Sequence, residues 1–77
     1  MTTISDERSV LVFKTNVLKT KEAKALLGKL LQQFPTHQIN FDLEDCDKIL
    51  RVQGTRVSAQ EIIDSLNNSN YQCSILE

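Results

Sequence analysis

Few residues in this chain could do chemistry, and their spacing works against most of it. The two cysteines, Cys46 and Cys73, lie far apart, and the single histidine is His37. Zinc takes a tetrahedron of nitrogen and sulfur ligands and Cu(I) takes thiolates or thioethers, so two distant thiols without nearby histidines make no metal site by themselves. Were a metal held, Cys46 and Cys73 are the residues to hold it. Cys46 sits between Asp45 and Asp47, whose negative charge disfavours the thiolate. Cys73 shares strand parity with Tyr71 and Ile75 and reads as a packed thiol, free cysteine being among the most buried residue types. His37 follows Pro35 and Thr36, is expected in an exposed loop, and has no serine, cysteine or carboxylate spaced to form a dyad or triad with it. The chain therefore does not read as an enzyme, and no cofactor is expected. Asp42, Glu44, Asp45 and Asp47 lack the central glycine and closing glutamate of an EF-hand loop, so they read as a solvated hairpin.

Composition narrows the partners. With 77 residues, 40% hydrophobic and 25% charged, and a net charge of -1, the chain is one small domain with no global case for nucleic acid or membrane binding. Lys14, Lys19, Lys21, Lys24 and Lys29 cluster on strand one, its junction and helix one, which fits a solvated polar face balanced by the acidic hairpin better than a surface that steers an acidic partner. A sheet that stacks RNA bases needs aromatics on its open face, and none is expected there. No apolar run approaches the roughly 20 residues a membrane span requires. Residues 1 to 8 lack the layout of a signal peptide and read as a short frayed tail before a single domain at 9 to 77. With cysteines too few for a disulfide framework, the expected location is the cytoplasm.

Six elements must position these residues. Val10-Leu11-Val12-Phe13 is a continuous apolar run, the mark of a strand with both sides at least partly covered, hence a central one. From Thr20 to Phe34 the period becomes helical, with Ala23, Leu27, Leu30 and Phe34 on one stripe, Thr20 as N-cap and Pro35 as terminator. Ile39, Phe41 and Leu43 alternate with polar residues in a second strand, and after a short polar loop Leu50 and Val52 point inward while Ile49, Arg51 and Gln53 point outward. Ser58-Ala59-Gln60-Glu61 is a capping box for a second helix to about Asn67. Asn67 to Asn70 form a turn, because asparagine tolerates the left-handed region, and Tyr71 to Leu76 form the last strand.

The order β-α-β-β-α-β predicts an α+β, ferredoxin-like fold, a four-stranded antiparallel sheet with two helices on one face and strands one and three in the centre. In that topology the first strand-to-helix junction, the hairpin at Cys46 and the turn before Tyr71 share one end of the sheet. Any site is expected there.

Ile39 to Glu44, then Ile49 to Gly54, then Ser58 to Leu66 and Asn70-Tyr71-Gln72-Cys73, resemble the pattern of heavy-metal-associated domains, the soft-metal carriers found as copper chaperones and in metal-transporting ATPases. The resemblance spans about residues 9 to 76, with Asn70 where that family usually has glycine. It implies a metal loop of methionine, a small residue and C-x-x-C over Leu18-Lys19-Thr20-Lys21-Glu22-Ala23. Here Leu18 would be the buried anchor, and Thr20 and Ala23 stand where the thiolates would be. Tyr71 matches a residue that approaches this loop in some bacterial members, and is expected to pack with its hydroxyl toward solvent. The loop formed by Leu18, Lys19, Thr20, Ala23 and Tyr71 thus reads as a degenerate site without ligands for a soft metal. A metal-free binding or regulatory module is implied, with a divergent copper or zinc carrier using Cys46, Cys73 or a partner's ligands as the alternative. If Leu11, Phe13 and Thr15 face the helices, Val10, Val12, Ile49 and Leu76 form an apolar patch on the open sheet face. A protein partner or a second copy of the chain is expected to dock there.

Overall fold

The computed structural model describes residues 8 to 44 and 46 to 76. The tail expected at Met1 to Glu7, together with Asp45 and Glu77, lies outside the described residues. The expected boundary before residue 9 moves back by one, because Arg8 already pairs with Thr55.

The elements are β1 (Arg8–Thr15), α1 (Thr20–Gln33), β2 (Gln38–Asp42), β3 (Ile49–Thr55), α2 (Ala59–Asn68) and β4 (Cys73–Ile75). All strand pairs are antiparallel, in the order β2-β3-β1-β4. This is the ferredoxin-like α+β fold, with β1 and β3 central. Register puts Phe13 opposite Leu50, Leu50 opposite Phe41, and Val52 opposite both Leu11 and Ile39. Directly opposed residues share a face. On that face Phe13, Ile39, Leu50 and Val52 form one buried cluster with Leu30 of α1 and Ile62 and Leu66 of α2, so both helices cover the same side. Each such side chain contributes about 1.5–3 kcal/mol by leaving water.

The ends of α1 refine the sequence reading. Lys19, extended at φ -114° and ψ 139°, is the N-cap, and its carbonyl accepts from the Ala23 amide. Thr20 is therefore the first helical residue and not the cap. The helix closes where the Phe34 amide donates to the Leu30 carbonyl, just before Pro35. At the start of α2 the Ser58 hydroxyl accepts from the Glu61 amide at 3.4 Å, the expected cap. At its end the Tyr71 amide reaches the Leu66 carbonyl and the Asn70 amide reaches the Asn67 carbonyl, a Schellman closure that requires a left-handed residue between them. Asn70 takes that place at φ 70°, which explains why asparagine serves where glycine is the commoner choice. β4 is shorter than expected: it begins only at Cys73, because Tyr71 belongs to this closure.

Candidate functional site

Thr15 ends β1 and is a buried polar residue. Its parity follows Phe13, which aims its side chain toward the covered side of the sheet, where a hydroxyl needs partners. The Oγ1 hydroxyl donates to the Lys48 carbonyl at 2.6 Å and accepts from the Val17 amide at 3.3 Å. The Thr15 amide donates to the Asp47 carbonyl at 3.2 Å. One residue on, Asn16 Oδ1 accepts from the Gln72 amide at 2.9 Å. These four bonds join the β1–α1 junction, the β2–β3 hairpin and the α2–β4 turn. The three loops do share one end of the sheet, as the topology implies.

Beneath them lies a second core of Val17, Ala23 and Leu26, onto which Phe41, Leu43 and Tyr71 pack. The loop's buried anchor is Val17, at 0% exposure, and not Leu18, which is 69% exposed. The Val17 amide is drawn in to Thr15 Oγ1, and the following residue then turns outward. Lys19 and Thr20 are exposed, while Ala23 is buried in the second core. Tyr71 is half-buried and touches both cores.

Cys46 is exposed in the hairpin, and Cys73 is half-buried, opposite Thr15 in the register and against the main core. Burial pushes the Cys73 thiol up from 9.0 to about 11, which makes its thiolate scarce. Among the described residues, no group of three or more His, Cys, Asp or Glu side chains is arranged to hold a metal ion. The end carries mixed charge: Lys14 and Asp47 approach to 4.0 Å, and Lys48 Nζ donates to the Leu43 carbonyl at 3.1 Å.

The open face is less apolar than expected. Val10 is 53% and Leu76 40% exposed, and Val12 is half-buried, with the Leu76 amide on the Val12 carbonyl. Ile49 is on that face by register, between Lys14 and Asp42, but at 4% exposure it offers no surface to a partner. It lies in a central strand, where side chains on both neighbouring strands flank it. Exposed Arg51 is directly opposite Val12, which divides what apolar surface remains.

Sequence reasoning missed two features. His37 is not in an exposed loop: its ring stacks on Phe34 at 5.4 Å and lies against Gly54, where a Cβ would come within 2.6 Å of Nδ1. The second is a groove of about 390 Å³ between α1 and the outer edge of β2, lined by Ala23, Leu27, Phe41 and Leu43 with Lys24, Asp42 and Glu44 at its margins. The apolar residues were legible and do pack against the two cores, but the sequence did not show that Leu27, Phe41 and Leu43 stay half-exposed. No helix is long and apolar enough to cross a membrane, among the described residues. Neither a protein-family model nor a curated protein nor a solved structure matches the chain.

Proposed function

We propose that this chain is a small non-enzymatic binding or regulatory module of the cytoplasm, built on the scaffold that heavy-metal-associated domains use and acting through contacts with protein. The observation that carries this reading is the braced junction. Where that scaffold presents thiolates, this chain places Thr20 and Ala23, and Thr15 and Asn16 tie the three loops to one another. Polar groups that are already satisfied by the chain's own backbone have little left to offer an ion. The sheet surface and its edge then remain as the places for a partner.

The alternative is a divergent soft-metal carrier using Cys46, Cys73 or ligands from a partner. It is favoured by the placement of both thiols at the same end of the sheet, and disfavoured by the raised pKa of Cys73, because a metal must displace the thiol proton. Titrating the reduced protein with Cu(I) and with Zn(II), followed by amide chemical shifts, separates the two. The module predicts no saturable response. Saturable shifts confined to Thr15, Asp47 and Cys73 at sub-micromolar affinity would replace it with the carrier.

A further inference from the structure

We infer that the outer edge of β2 and the groove beside it take an extended peptide segment of a partner protein, in which apolar residues alternate with lysine or arginine, added to the sheet as a further strand. The inference rests on the reading that the chain binds protein, and it names the place and the chemistry of what is bound.

Two observations lead to it. The first is the edge. A strand at the margin of a sheet presents a row of unpaired N–H and C=O groups, and proteins protect such rows by shortness, lysine, proline or a bulge. β4, at the other margin, has three residues and pairs only with Phe13–Thr15 of β1, so among the described residues that margin continues along Arg8–Leu11 of β1, where no groove lies beside it. β2 has five, pairs with β3 residue for residue without a bulge, and contains neither lysine nor proline. The second is the groove of about 390 Å³ alongside that edge. Phe41 of β2 and Leu43, just past its end, line it on one side, and Ala23 and Leu27 line it from α1. Phe41, Leu43 and Leu27 are only half-buried, so apolar surface there is still in contact with water.

An edge strand running beside an apolar groove and a helix suits one kind of occupant. Main-chain hydrogen bonds to the edge hold an extended segment, and every second side chain enters the groove. Charge selects the rest. Asp42 and Glu44 border the strand side and Lys24 the helix side, so basic side chains of the segment belong over the strand. An acidic segment would meet two carboxylates at the place where its backbone must dock.

The test is to pan a displayed library of short random peptides against the folded chain, and then to measure synthetic versions of the enriched peptides by fluorescence anisotropy. The expected peptides alternate apolar with basic residues. Their affinity falls about tenfold with Leu27→Arg, which fills the groove, and severalfold with Glu44→Lys, while Val10→Lys and Val12→Lys leave it unchanged. Amide spectra establish that each variant is folded, and Glu44→Lys, on an exposed side chain, carries the test if Leu27→Arg is not. Enriched peptides that Val12→Lys abolishes and Glu44→Lys spares would overturn the groove while keeping a protein-binding module. Enrichment of acidic peptides would overturn the charge argument and with it the inference. A dimer in sedimentation that Leu27→Arg dissociates would give the groove to a second copy of the chain instead. No enrichment at all would remove both this inference and the reading beneath it.

Discussion

At the end of the sheet where β1 hands over to α1, three loops are held together by hydrogen bonds to Thr15 and Asn16. At the opposite end, β2 enters beside Gly54 with the His37 ring against it and Phe34 stacked on that ring. The first closure is polar and made from loop backbone. The second is a packing contact, and the buried Nδ1 of His37 has no hydrogen-bond partner among the described residues. A polar brace tolerates changes in the exposed residues around it as long as its few donors and acceptors persist. A close-packed contact tolerates almost no added volume. The loop end is thus the one more open to change of residue type at Leu18, Lys19 and Thr20, all exposed.

Substitutions can break this contrast. The largest expected effect is at the anchor of the loop end: Val17→Ala should lower unfolding free energy by about 2–3 kcal/mol in urea titrations, through lost burial and the cavity left behind. Leu18→Ala beside it should change stability by less than about 0.5 kcal/mol, as exposed positions do. Equal effects would contradict the assignment of Val17 as the anchor. At the far end, Gly54→Ala should cost about 2 kcal/mol, since the new methyl meets a ring that cannot swing freely. Adding His37→Ala should recover part of that loss, and strict additivity in the double variant would show that the two residues do not compete for space.

Thr15→Val keeps the volume and removes the hydroxyl, which leaves the Val17 amide and Lys48 carbonyl without that partner. The expected cost is about 1–2 kcal/mol, with accelerated hydrogen exchange confined to the junction and the hairpin. Exchange spread evenly over the sheet would mean that Thr15 supports the core and not the loops.

The last effect concerns the thiols. Cys46 should be alkylated by iodoacetamide well before Cys73, which is half-buried and titrates near 11. Because folding raises that pKa above its ordinary 9.0, the neutral thiol is the form the fold favours. Its contribution is whole below pH 9 and is lost as pH rises toward 11, so the stability of the wild type should fall relative to Cys73→Ala over that interval. A constant difference across it would show that Cys73 is not desolvated.

The alternation of Ile39, Phe41 and Leu43, the helical stripe from Ala23 to Leu30 and the Ser58 cap each specify a local element, because side-chain period and capping act within a few residues. Their order then leaves few topologies open, and the fold was legible for that reason. The site was legible only in part. The end of the sheet on which the loops converge follows from topology, but the choice of Val17 over Leu18 as anchor follows from a hydrogen bond between neighbours that pattern does not encode. Local periodicity also marked Ile49 as outward without revealing that a central strand is shielded by its neighbours. What the sequence by itself determined, then, is the set of elements, their order and the wide separation of its two cysteines, Cys46 and Cys73. What only the tertiary structure decided is how residues distant in the chain meet: Thr15 with Lys48, Asn16 with Gln72, His37 with Gly54, and Leu27 with Phe41 across an open groove. Those contacts depend on distances between elements, and no run of neighbouring residues contains them.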